Sequence, residues 1–328
     1  MEIAQLLIGI TGVLGLIILA LVLIRFRANR ERCFSMVFLK IMIPKKESKI
    51  EREKETESGK KDFKETLQVG AHFFEAIYSI YEEDFKYRFI GQDFFSFEYA
   101  LLNGLTYFYI VVPRHLVSVI EKALTGLYPD ATIEEVEDYN IFKPKDHVDG
   151  MYMRMEKSPM YPIRTFSRMG SDPLNTIANV FSKFGNDIGA VIQIVVRPSH
   201  EGWQKHGREA AKDIFKDTKK ITWWNPFSVL GTLFNLTIHG ERMLKENFDQ
   251  GKGMMRTTPL TDEQVKAIEE KNTKPGYEAV IRLITSAPTR HQAREALHGL
   301  KSAFAQYTTV DNNALMRTKF HSVRRLIT

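Results

Sequence analysis

The chain has 328 residues, 46 Lys and Arg against 40 Asp and Glu, a net charge of +6 and a single cysteine. One cysteine excludes an internal disulfide and with it a disulfide-stapled secreted fold, and suits a reduced compartment. Between Arg25 and Lys46 stand seven Lys or Arg and one Glu; that local excess of +6 equals the charge of the whole chain, so the remainder is balanced and advertises no basic groove for nucleic acid.

Ile3 to Ile24 is an uncharged run of 22 residues, fifteen of them Leu, Ile or Val. As a helix it is about 33 Å long, enough to cross a hydrocarbon core of about 30 Å once. A cleavable leader would need a basic start and a small-x-small end, whereas this run starts Met-Glu and ends Leu-Ile-Arg. Arg25, Arg27, Arg30 and Arg32 follow at once. Positive charge stays cytoplasmic, which predicts an amino terminus outside and the bulk of the chain inside, with these arginines at anionic headgroups. Thr11 and Gly15 form one small-xxx-small pair, a candidate face for self-pairing of the helix. Cys33 reads as an ordinary thiol, with acylation as the sharper alternative.

Phe34 to Ile43 is an apolar run closed by Pro44, which predicts a buried strand. Residues 45–61 are charged and read as a solvated connection. Phe63, Leu67, Phe74, Ile77 and Tyr81 recur at helical spacing between Asp62 and Glu82. Phe95, Phe97, Tyr99 and Leu101 alternate with Ser96, Glu98 and Ala100, and Asn103-Gly104 precedes a second strand from Thr106 to Val112, which predicts a β-hairpin. Leu116, Ile120, Ala123 and Leu127 mark another helix, and a short strand is expected near Ala131 to Val136. Strand, helix, strand, strand, helix, strand is the order of a ferredoxin-like βαββαβ unit.

The order recurs more loosely. Met151, Met153 and Met155 alternate with Tyr152, Arg154 and Glu156; Ser171 or Asp172 caps a helix that opens at Pro173, with Leu174, Ile177, Phe181 and Phe184 inward; Ala190 to Val196 is a buried strand. A helix is expected from about Trp203 to Asp217, then a long interruption, a strand from Tyr277 to Thr285, a helix carrying Ala293, Leu297 and Leu300, and a weak last strand near Tyr307. The predicted fold class is therefore α+β: one transmembrane helix over residues 1–27, a first ferredoxin-like unit over 28–148, and a second over 149–328 with a long helical insertion at 218–276.

No catalytic signature is present. Ser58-Gly59-Lys60-Lys61 and Gly251-Lys252-Gly253 lack the glycine and hydroxyl that a phosphate loop needs. His200 and His206 are six positions apart, not the one turn that a zinc helix requires. No cofactor and no metal are expected. Phe95, Phe97 and Tyr99 could stack bases, but their alternation fits a core face beneath helices better. Trp223, Trp224 and Phe227 form an aromatic cluster that suits a domain core, a membrane surface or a subunit contact, and are candidate interfacial residues.

The phrases Phe108-Tyr109-Ile110-Val111-Val112-Pro113, Tyr128-Pro129-Asp130-Ala131, Pro162-Ile163-Arg164-Thr165-Phe166, Asp172-Pro173-Leu174 and Tyr277-Glu278-Ala279-Val280-Ile281-Arg282 follow the anchor in turn. Together they resemble the amino-terminal region of membrane-anchored type IV secretion or conjugation-like proteins from poorly cultured bacterial lineages, in which a HerA/FtsK-like ATPase usually follows. The resemblance implies a non-enzymatic scaffold at the inner membrane that positions such an ATPase, either beyond residue 328 or on a separate polypeptide. It carries no catalytic residue onto this chain. The alternative expectation is a membrane-associated nucleic-acid-binding module.

Overall fold

The first helix, α1, runs unbroken from Glu2 to Phe34 in the computed structural model, which describes residues 2–43, 59–215, 259–309 and 312–318. Its stretch Gly12–Phe34 is long and apolar enough to cross a membrane, and the apolar window within it is not buried in the protein. Leu16, Ile17, Ile18 and Leu19 follow one another around the helix and all stand open, at 68%, 51%, 53% and 54% exposure. An apolar stretch left unburied on every side needs an apolar surrounding to be stable. Phe34 belongs to this helix and not to the strand expected from Phe34 to Ile43; it is 81% exposed, and β1 is Met36–Met42. Only Ser35 separates helix from strand.

Among the described residues eight strands form one antiparallel sheet: β1, β2 (Phe95–Leu102), β3 (Leu105–Pro113), β4 (Thr132–Val136), β5 (His147–Met155), β6 (Gly189–Pro198), β7 (Tyr277–Ala287) and β8 (Leu315–Thr318). Their order is β4-β1-β3-β2-β6-β7-β5-β8. Counted inward from either edge, each half runs fourth, first, third, second. The halves do not stand apart as two separate sheets; β2 and β6 pair from Phe95↔Val196 to Leu101↔Ala190. Both strands are rich in β-branched and aromatic residues, and each lends its edge to the other, so two edges that would otherwise be open to aggregation are closed.

The β2–β3 turn follows its sequence signal. Asn103 and Gly104 have φ of 52° and 78°, the left-handed pair that a two-residue hairpin requires. Phe95, Phe97, Tyr99 and Leu101 face the helices, as their alternation predicts. Helices α2 (Gly59–Ile77) and α4 (Val117–Leu127) cover the first half, where Leu39, Phe95, Ile110, Val112, Ile77 and Ile120 are buried together. Helices α5 (Pro173–Phe181) and α8 (Arg290–Ala303) cover the second, over Leu101, Met153, Phe181, Ile192, Leu283 and Leu297. Asp172 caps α5, its Oδ1 accepting from Leu174 N at 2.9 Å. Leu174 itself is turned outward at 48% exposure; in the first turn it is Pro173, four residues before Ile177, that is buried, and Ile177 and Phe181 continue that face. The last strand is Leu315–Thr318, eight residues beyond Tyr307, which ends a 3₁₀ turn closing α8.

The opposite face of the sheet is crossed by the connection from β4 to β5. Ile141 is 4% exposed there beside Ala100, Val191 and Ile284. A Cβ added at Gly189 would lie 2.5 Å from the carbonyl oxygen of Ile141, which is backbone and cannot swing aside. Gly189→Ala is expected to lower unfolding free energy by about 2 kcal/mol, measured by urea denaturation, since overpacking of this kind typically costs 1–3 kcal/mol.

On that face one polar row traverses all eight strands: Glu134, Lys40, Tyr109, Glu98, Gln193, Arg282, Tyr152 and Thr318, neighbour beside neighbour. At its centre Glu98, only 4% exposed, accepts from Gln193 Nε2 at 3.0 Å and from the hydroxyl of Tyr139, whose ring stacks on Tyr109 at 4.8 Å. Glu98 and Gln193 lie across the β2–β6 seam, so the hydrogen bond fixes the register where the halves meet; a slip of one residue would bury the carboxylate without a partner. Burial, then the Glu98 charge, pushes the Tyr139 phenol far above its usual value. The folded state therefore keeps Tyr139 protonated at a pH where the unfolded chain ionises it. Its contribution is whole below about pH 10 and declines above it by up to about 1.4 kcal/mol per pH unit. Urea midpoints followed from about pH 9 to about pH 11 should fall less steeply in Tyr139→Phe than in the wild type.

The chain divides into a large compact unit, residues 1–157, 163–200 and 275–328, and a small one, residues 158–162 and 201–274. In the small unit α6 (Gly202–Phe215) packs against α7 (Pro259–Asn272), with Ala211, Ala267 and Ile268 buried. Gly207 touches Asn272 there with no room for a side chain. Lys271 donates to the carbonyl of Pro159 at 2.5 Å, and its burial lowers its pKa. Of the expected insertion at 218–276, residues 218–258 lie outside the described residues, as do Trp223, Trp224 and Phe227.

Candidate membrane-proximal site

The four arginines after the apolar run do not behave alike. Arg25, Arg27 and Arg30 are exposed. Arg27 pairs with Glu31 one turn on at 3.2 Å, an 84% and 70% exposed pair of little energetic weight. Arg30 lies over the ring of Phe34 at 5.7 Å. These positions remain open to headgroups.

Arg32 differs from that expectation. Its Nε donates to Asp93 Oδ1 at 2.7 Å, with the two side chains 11% and 13% exposed. Its Nη1 donates to the carbonyl of Ile90 at 3.0 Å and its Nη2 to that of Gly91 at 2.7 Å. His115 Nε2 sits 2.9 Å from the other Asp93 oxygen. The planar five-donor fork of arginine fits this arrangement and a lysine ammonium does not. The carbonyls belong to the end of a short helix, α3 (Phe85–Ile90), and become available because Gly91 leaves it at φ 87°, a conformation that disfavours a side chain. A Cβ on Gly91 would lie 4.0 Å from both Arg25 Nη2 and Arg32 Nη1, so the turn is held between two arginines of α1.

A second tie closes the junction. Arg114 N donates to Ser35 O at 2.9 Å, and the Arg114 guanidinium reaches Glu135 at 2.9 Å. Helix α1, its one-residue link and the strands β3 and β4 are thus joined by directional bonds where a flexible tether would have none. Local sequence pattern offered no sign of this clamp: Asp93 is 61 residues from Arg32, and α3 is too short to show a helical period. Among the described residues, no three His, Cys, Asp or Glu side chains gather as a metal ion would require.

A family model matches residues 59–325, from α2 through β8 and including Asp93 but not Arg32. The chain belongs to that family, described as Domain of unknown function (DUF8128). No curated protein and no solved structure matches the chain. The DUF8128 match takes in β2 through β8 and the small helical unit, and leaves out α1 and β1.

Proposed function

We propose that the chain is a non-enzymatic, membrane-tethered scaffold: α1 crosses the inner membrane once with its amino terminus outside, and each half of the sheet is a ferredoxin-like βαββαβ unit. The two units, joined along β2 and β6, make a rigid platform on the cytoplasmic side. The platform positions a HerA/FtsK-type ATPase of a type IV secretion or DNA-transfer-like machine, carried beyond residue 328 or on another polypeptide.

The observation that carries the reading is the Arg32 clamp. A tether that only kept a domain near the membrane would need no part-buried ion pair and no paired carbonyls at its exit; a part that sets the orientation of its partner does. The mirrored strand order supports the duplication, and the basic stretch after Ile24 supports the orientation. The resemblance in sequence phrases supports the choice of machine.

Two measurements test it. Purified full chain in detergent should hydrolyse no ATP, yet bind a HerA/FtsK-type ATPase encoded beside it or fused to it. ATP turnover abolished by a point substitution in this chain would overturn the scaffold reading. So would tight, salt-dependent nucleic-acid binding that falls when basic residues outside 25–46 are changed, since that result favours the nucleic-acid module.

A further inference from the structure

Past Ile24, the three most exposed large apolar side chains among the described residues all lie on α1 or on α3. Phe34 is 81% exposed, Phe85 68% and Phe26 67%, and Phe89 stands at 40% with its ring 4.8 Å from that of Phe85 in an edge-to-face pair. Phe26 and Phe34 belong to α1 just past the apolar run. Phe85 and Phe89 belong to α3, which packs on α1 and is locked there by Arg32. Its far end, Gly91, lies between Arg25 and Arg32.

Those arginines are one and eight residues beyond Ile24, hence about 2 and 12 Å along the helix from the end of the apolar run. The headgroup layer reaches about 5–8 Å past the hydrocarbon core on each side, so Arg25 lies within it, Arg32 a few Å beyond it, and α3 borders it. Exposed aromatic pairs in water are unfavourable, each phenyl forgoing about 1.5–3 kcal/mol of burial, and short elements with Phe on one side and basic residues on the other rest at this depth. Lys86, its ammonium 4.9 Å from the ring of Tyr87, supplies the cation.

We propose that α3 is a second membrane contact: Phe85 and Phe89 enter the headgroup and upper acyl region of the bilayer that α1 spans, so that the platform rests on the membrane through two points and cannot rotate about its tether. The proposal rests on α1 being a span. Glu82, Glu83 and Asp84, all exposed just before α3, offset the charge of Arg25, Arg30 and Lys86. The contact is therefore driven by the aromatic rings and depends only weakly on anionic lipid.

The test uses full chain with Cys33→Ser and Phe85→Cys, labelled with an environment-sensitive NBD group and reconstituted into phosphatidylcholine vesicles with and without phosphatidylglycerol. A matching label at His298→Cys, exposed on α8, gives the aqueous reference. The expected result is blue-shifted emission at position 85, several-fold weaker quenching by iodide than at 298, and quenching by doxyl lipids in both vesicle types. Equal iodide quenching at the two positions, in chain that co-floats with the vesicles, overturns the second contact and leaves the span intact. Quenching relief that appears only at high protein density, without doxyl quenching, assigns the patch to a second copy and also overturns it. Chain that fails to co-float removes the span, and the proposal with it.

Discussion

Leu14→Arg with Ile17→Arg is expected to release the protein from membranes. Fifteen Leu, Ile and Val residues contribute roughly −4.5 to −9 kcal/mol to insertion at −0.3 to −0.6 each, and each arginine near the centre of a span adds about 2.5–3.5 while removing one favourable residue. The pair thus costs about 6–8 kcal/mol, which removes most or all of the driving force. Both positions are fully open to the surroundings, at 55% and 51% exposure, so nothing in the folded domain is disturbed. Fractionation of cells and extraction with alkaline carbonate read the outcome: wild type stays in the pellet and the double variant leaves it. Retention of the variant in the pellet would mean that α1 is not what holds the chain there.

The second large effect is expected at the clamp. Arg32→Ala removes one partner of a pair whose side chains are 11% and 13% exposed, leaving Asp93 without its guanidinium and two carbonyls without donors. Breaking a fully buried pair from one side typically costs 3–5 kcal/mol; this pair is part-buried and His115 still reaches Asp93, so about 2–3 kcal/mol is expected. Urea unfolding of full chain in detergent, followed by circular dichroism, measures it. A cycle with Asp93→Leu separates the ion pair from the carbonyl bonds: if the pair dominates, Arg32→Met with Asp93→Leu loses less than Arg32→Ala alone, because two apolar groups leave no orphaned charge. If the double variant loses as much as both single losses added, the residues act independently and the clamp is not a unit.

What could be read from the sequence followed short-range rules. The apolar run became α1, Asn103-Gly104 became a hairpin turn, and Asp172-Pro173 became a cap and first turn, because in each case neighbouring residues alone decide the conformation. The helix-facing positions Phe95, Phe97, Tyr99 and Leu101 were legible for the same reason, their period of two being visible in seven residues. The features that join these pieces were not. Arg32 looked like one of four equivalent headgroup arginines, and only the fold brings Asp93 to it. Glu98 sits on the outward-reading face of β2, yet the connection carrying Tyr139 lies over that face and takes it from water. Pairing of β2 with β6 depends on residues about ninety positions apart, where pattern says which strands are apolar on two sides but not which edges meet. The last strand was placed too early because Phe304 and Tyr307, which look like strand residues, cap the core beneath α8 instead.

Cys33 provides the most direct test of the central claim, that one helix fixes this platform to the cytoplasmic side of the membrane. It is the sole cysteine, it is exposed, and it lies nine residues beyond the end of the apolar run. A membrane-impermeant maleimide should leave Cys33 untouched in intact spheroplasts and modify it fully once the membrane is opened. Labelling of Cys33 before the membrane is opened would put the sheet on the other side and contradict the account.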